Sequence, residues 1–192
     1  MNYTFARTLI PASDYKEKEQ KNGRWVVRIK EEEQGDDWLC AETSCTEEPQ
    51  VEVVRAAYNV WLDKQNARRL ERAKTAKVAE ITAYDSSDAV NSFSLNGASV
   101  WLDKATRVGL VNSTTICKEA GQESTTLWLG GLKIVIPCDT ALQLLAALEL
   151  YALECFNVTA AHKAAVNALA SIDEVEGYDY TTGYPDKLTM NV

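Results

Sequence analysis

Phe93-Ser94-Leu95-Asn96-Gly97-Ala98-Ser99-Val100-Trp101 is the stretch on which the reading of this chain turns. Apolar residues flank Asn96-Gly97, and Asn followed by Gly readily takes the positive φ angles of a two-residue turn, so the stretch predicts a β-hairpin. Toward the C-terminus, Asp103 is placed to cap a helix over residues 103 to about 120, which Gly121 stops. Thr125-Thr126-Leu127-Trp128-Leu129 and Leu132-Lys133-Ile134-Val135-Ile136 around Gly130-Gly131 predict a second hairpin, ended by Pro137. A helix then starts at residues 139 to 140 and carries Ala141, Leu142, Leu144, Leu145, Leu148, Leu150, Tyr151 and Leu153, a density that predicts burial on most of its faces. A separate helix is expected from 157 or 158 to 169, and Ser171-Ile172-Asp173-Glu174 has the spacing of a capping box that opens one more short helix. The expected core centres on Phe93, Trp101, Trp128, Leu145, Leu148 and Tyr151.

Toward the N-terminus, Glu47-Glu48-Pro49 opens a long helix, with acids complementing the N-terminal dipole and proline suited to a first turn. Val54, Tyr58, Trp61 and Leu62 form its first apolar stripe, and Ala67, Leu70, Val78 and Ile81 its second. The offset between them predicts a kink, a short break or a change of packing partner between Asp63 and Asn66. Earlier still, residues 3 to 10, 24 to 30 and 37 to 43 read as three strands, with 14 to 22 a charged loop and 31 to 36 an acidic turn. The fold class is therefore α+β: a small N-terminal antiparallel β module (1 to 48), a long linking helix (49 to 83) and a helix-rich C-terminal domain with two β-hairpins (84 to 192). A three-stranded sheet is marginal alone, which predicts a partner surface for it, either the rest of the chain or another subunit.

The 192 residues carry a formal charge of −8, which argues against a nucleic-acid partner held through its phosphates. The most basic window contains Lys64, Arg68, Arg69, Arg72, Lys74 and Lys77, includes Glu71, and reads as a solvated helix side. No apolar run reaches the roughly 18 residues of a membrane span, and residues 1 to 7 lack a signal peptide's apolar stretch, so no membrane partner and cytoplasmic synthesis are expected. Five cysteines, at 40, 45, 117, 138 and 155, are expected as free thiols; Cys40 and Cys45 lack the second pair or histidines that a zinc site needs.

Nothing in the sequence assembles a nucleophile, a metal cage or a phosphate cradle, so no catalytic, cofactor or metal residue is assigned. His162, the single histidine, lies near the stripe Val158, Ala165, Val166 and Leu169 and reads as a satisfied core or interface imidazole. Asp179 and Asp186 read as a solvated turn, and β follows Gly130-Gly131 where a phosphate loop requires a helix. Val-Trp-Leu-Asp-Lys occurs at 60 to 64 and again at 100 to 104, without the surrounding match that a structural repeat would carry.

Residues 73 to 185 carry a wider pattern: Phe93-x-Leu95-Asn96-Gly97, Trp101-Leu102-Asp103-Lys104-x-x-Arg107, Thr126-Leu127-Trp128, Leu145-x-x-Leu148-x-x-Tyr151-Ala152-x-x-Cys155 with Thr159-x-x-His162, and Tyr178-Asp179-x-x-x-Gly183-Tyr184-Pro185. In these motifs the chain resembles a C-terminal domain of unknown function found in bacteriophage tail and tail-fibre-associated proteins, especially from phages and prophages of Bacteroides-like bacteria. The resemblance implies a virion structural protein, a tail or appendage component assembled in the host cytoplasm, with no catalysis and no cofactor. Its expected partners are other tail or appendage proteins and further copies of itself. The alternative is a tail-fibre assembly chaperone that leaves before the particle matures. Trp25, Trp38, Tyr58, Trp61, Tyr178, Tyr180 and Tyr184 are the expected partner contacts, with residues 1 to about 83 mediating association.

Overall fold

A computed structural model describes residues 3–192 and divides the chain into two compact units, Met1–Glu71 and Arg72–Val192. The division falls within one helix.

In the first unit, β1 (Ala6–Pro11), β2 (Lys18–Lys21), β3 (Arg24–Gln34) and β4 (Asp37–Cys45) form an antiparallel sheet in the order β1-β4-β3-β2. Alternation sorts the strand residues onto two faces. Val27, Ile29 and Ala41, with Phe5, meet Val54 and Tyr58 on helix α1 (Val51–Asp85), and Trp61 packs beside them. Ile10, Val26, Arg28 and Cys40 are buried on the opposite face. Because β1 and β2 are opposite edges of the sheet, residues 12 to 17 must cross its width, and they do so as a strap. Tyr15 Oη donates to the Arg28 carbonyl at 3.3 Å, Arg28 Nη1 donates to the Lys16 carbonyl at 3.4 Å, and Lys30 Nζ lies 4.3 Å from the Tyr15 ring centre.

Two expectations for this unit need correction. The sheet has four strands, because the charged segment 14 to 22 contains β2, whose exposed Lys18, Gln20 and Lys21 suit a solvated edge. The acidic segment 31 to 36 is mostly strand: β3 continues to Gln34 past a bulge between Lys30 and Glu32, and the turn is Gly35-Asp36. Of the partner surfaces expected for the sheet, the rest of the chain supplies α1 on one face and the strap across part of the other.

In the second unit, β5 (Phe93–Leu95) and β6 (Ala98–Val100) form the predicted hairpin, with Asn96 and Gly97 at φ 49° and 83°. A strand absent from the sequence reading, β9 (Thr189–Met190), pairs parallel with β5. The cap at Asp103, which accepts from Thr106 N at 2.7 Å, starts α2 (Lys104–Glu119). β7 (Ser124–Leu129) and β8 (Leu132–Pro137) form the second hairpin. Helix α3 (Cys138–Ala168) follows, and Ser171 and Glu174 complete the predicted capping box of the short α4 (Ile172–Glu176). The core joins Phe93, Leu95, Val100, Leu102, Leu127 and Leu129 to Ala141, Leu148, Tyr151 and Cys155 of α3.

Here too the structure corrects the sequence. The helices expected on either side of residue 157 are one, since Asn157, Val158 and Thr159 lower helix propensity without breaking a backbone hydrogen bond. Helix α1 runs unbroken through 63 to 66; what changes is the packing, with Val54 and Tyr58 in the first unit's core and Ile81 buried in the second unit. Trp101 and Trp128 are exposed, not core. Helix α3 is not buried on most faces. It buries one stripe, Cys138, Ala141, Leu145, Leu148, Ala152, Cys155, Thr159 and Val166, with Tyr151 beside it, while Leu150, Leu153 and Phe156 are exposed. Because the two helical runs merge, α3 contains an 18-residue window of mean hydropathy 1.4 and is, among the described residues, the one helix long and apolar enough to cross a membrane. Its inner stripe belongs to the second unit's core.

Candidate functional site

A concavity of the first unit, about 650 Å³, lies against the strapped face of the sheet between Ile10, Asp14, Lys16, Glu19, Arg28 and Glu42. Strand alternation aims Arg28 and Glu42 at the same face, and the register places them opposite each other. Arg28 Nη1 donates to Glu19 at 2.6 Å and Nε donates to Glu42 at 2.7 Å. Burial alone would lower the Arg28 pKa; the two carboxylates outweigh it and raise the value. Glu19 is lowered by the same bond. The triad holds β2, β3 and β4 together, with the guanidinium neutralised by both acids.

A second cluster lies on the helix side. Glu31 accepts from Arg7 Nε at 2.6 Å and from Tyr58 Oη at 2.7 Å, and Arg7 sits 5.2 Å from the Trp61 ring centre. Burial would raise the Glu31 pKa, and the bonds from Arg7 and Tyr58 bring it below the usual value. Burial first, then the bond to Glu31, pushes the Tyr58 phenol up to about 12. It therefore stays protonated as a donor, and Glu31, already bonded by both groups, is poorly placed to act as a base.

In the second unit the C-terminal tail lies along α3 through a polar and aromatic network. Nε2 of His162 faces the Thr182 carbonyl at 2.9 Å and must donate there, and Nδ1 lies 2.9 Å from Tyr178 Oη. Both ring nitrogens are thereby engaged. Thr159 Oγ1 donates to Asp85 at 2.7 Å and lies 3.0 Å from Tyr184 Oη. Asp179 accepts from the Thr181 hydroxyl and backbone N–H, which lower its pKa.

All seven aromatic residues expected at partner contacts are half-buried or buried and are engaged within their own unit. Tyr58 and Trp61 pack with Phe5, Trp25 lies under Lys18, and Trp38 under Lys30. Tyr180 and Tyr184 pack edge-on against Tyr84, and Tyr178 against His162. The exposed aromatics are ones that sequence reasoning placed inside or passed over: Trp101 and Phe156, which line one groove of about 250 Å³ with Asp103 and Arg107, and Trp128 on the outer face of the β7–β8 hairpin. Within that groove Asp103 caps α2, and Arg107 bonds Glu149 at 2.8 Å and the Leu102 carbonyl at 2.7 Å, so these two groups are already engaged. For Trp128 the signal was available: it falls between Leu127 and Leu129, out of phase with the inward residues.

Among the described residues, no group of three or more His, Cys, Asp or Glu side chains is arranged to hold a metal ion. Comparison of the chain with protein families, with curated proteins and with solved structures found no match.

Proposed function

We propose that this protein is a structural component of a bacteriophage tail or appendage, assembled in the host cytoplasm, that attaches to neighbouring tail proteins and to further copies of itself and carries out no catalysis. The observation that carries the reading is the resemblance of residues 73 to 185, in the spacing of their motifs, to the C-terminal domain of phage tail and tail-fibre-associated proteins. The motif positions suit a domain signature, because many of them build the second unit: Phe93, Leu95, Leu148, Tyr151 and Cys155 are core, Asp103 caps α2, and Tyr178 and Tyr184 hold the tail. Exposed Trp101, Trp128 and Phe156 give such a component apolar surface for neighbours.

The test is mass spectrometry of purified particles beside infected lysates. The protein is expected in the particles in stoichiometric amount. Abundance in lysates with absence from particles would overturn the virion assignment and favour an assembly chaperone that leaves before maturation.

A further inference from the structure

The groove of about 250 Å³ in the second unit lies where the end of α1, the segment before β5, the start of α2 and the middle of α3 come together. Two of its side chains are aromatic and open: Trp101 is 45% exposed and Phe156 62%. Two others are polar and held from behind. Asn91 Nδ2 donates to the Asp85 carbonyl and lies 3.4 Å from Asp85 Oδ1, and Thr159 Oγ1 donates to that same carboxylate oxygen at 2.7 Å. These bonds orient both side chains and leave one acceptor on each, Asn91 Oδ1 and Asp85 Oδ2, without a partner. Neither acceptor is enclosed, because among the described residues Thr114 Oγ1 is the sole buried side-chain nitrogen or oxygen that lacks a hydrogen bond. Both therefore reach the surface of half-buried residues that line the groove. Oriented polar groups beside open rings in a concavity are the makings of a small-molecule site.

The class of ligand follows from charge and from what the rings accept. Arg107 is neutralised by Glu149, so the uncompensated charges in the groove are Asp85, which repels an anion, and Lys104, which repels a cation. A neutral ligand remains. Its polar groups must donate to Asn91 and Asp85 and accept from Lys104, and hydroxyls do both. Its body must set C–H groups against aromatic faces, which carry the negative side of the ring quadrupole. A saturated ring with adjacent hydroxyls meets both demands. The volume lies below the roughly 300 Å³ at which pockets for drug-sized ligands begin, so it suits one ring and not a long chain. We infer that this groove binds a neutral sugar, one pyranose ring set against Trp101 and Phe156, with its hydroxyls donating to Asn91 Oδ1 and Asp85 Oδ2 and accepting from Lys104 Nζ. The inference rests on the groove alone and is independent of the virion assignment.

The experiment is saturation-transfer-difference NMR on the full chain, with the methyl glycosides of glucose, galactose, mannose and N-acetylglucosamine as probes and choline and adenosine alongside. At least one glycoside is expected to bind with a Kd of about 1 mM, the strength that a ligand of so few atoms reaches. Trp101→Ala and Phe156→Ala should each weaken it by about tenfold, through loss of the stacked ring. Asp85→Asn should weaken it as well, since a hydrogen bond to a charged group is the stronger one. Trp128→Ala should bind as wild type does, because Trp128 is as exposed as Phe156 but lies outside the groove. Both groove rings are exposed, and circular dichroism checks that each variant stays folded. No glycoside signal at about 10 mM, a concentration well above the expected Kd, overturns the inference. So does glycoside binding that survives both Trp101→Ala and Phe156→Ala, or that Trp128→Ala weakens equally. Binding of choline or adenosine without any glycoside overturns it too, by making the occupant a cation or a nucleobase.

Discussion

Phe93 and Trp128 are both large aromatic residues on hairpin strands of the second unit, and they stand at opposite ends of burial: 0% and 61% exposed. Their truncations should differ accordingly. Phe93→Ala removes a side chain enclosed by the core and should cost about 3–5 kcal/mol, whereas Trp128→Ala should change stability by less than about 1 kcal/mol in urea denaturation. Equal costs would return Trp128 to the core. A second residue-scale outcome concerns alkali. Burial raises the phenols of Tyr58 and Tyr151 from 10.0 to about 12, aided by the bond from Tyr58 to Glu31 and by Cys155 beside Tyr151. The unfolded chain releases those protons near pH 10 while the folded chain keeps them, so stability falls as pH climbs from 10 toward 12. Urea midpoints at pH 9 and 11 should show the fall, and Tyr58→Phe with Tyr151→Phe should reduce it.

At the scale of elements, the turns and caps depend on backbone conformation more than on contacts. Gly97 closes the first hairpin at φ 83°, and a Cβ there would touch nothing within 4 Å, so any penalty for Gly97→Ala is conformational, about 1–2 kcal/mol. Gly109 is equally free of neighbours but sits inside α2 at an ordinary φ. Gly109→Ala should therefore stabilise by about 0.5–1 kcal/mol, since alanine restricts the unfolded chain and favours helix. Thermal melts of the two variants should shift in opposite directions.

At the scale of the whole molecule, the two units have separate cores. Every residue of the larger core lies between Tyr84 and Met190, so a chain shortened to residues 72–192 should fold alone. Well-dispersed amide resonances and a cooperative melt would show it; a collapsed spectrum without a transition would mean that the first unit is needed. The first unit is held by smaller means, a six-residue apolar cluster with the Arg28 and Glu31 ion clusters on either side of its sheet. Its stability should therefore be the more sensitive to acid: the Glu31 pKa is depressed, so the stabilisation present above the usual carboxylate range is lost as pH falls through the lowered value.

Local chemistry alone determined the turns and starts. Asn96-Gly97, Gly130-Gly131, Asp103 and Ser171-x-x-Glu174 specify backbone angles and nearby hydrogen bonds, and each was legible without a partner in space. The α+β class followed from the same signals. What tertiary structure decided was which apolar residues face inward and how far a helix continues. Strand β2 is charged and exists because β3 offers it an edge; β9 exists because β5 does. Trp101 and Trp128 were misplaced because size predicts burial only when the facing surface is known. On α3 large apolar residues fall on more than one side, and the packing of the core against the side of Leu145, Leu148 and Cys155 buries that one while Leu150, Leu153 and Phe156 stay exposed. The aromatic residues that looked available for partners met the same rule from the other side: Tyr58, Tyr178 and Tyr184 found hydrogen bonds within their own unit, a contact between residues far apart in sequence that no local pattern encodes.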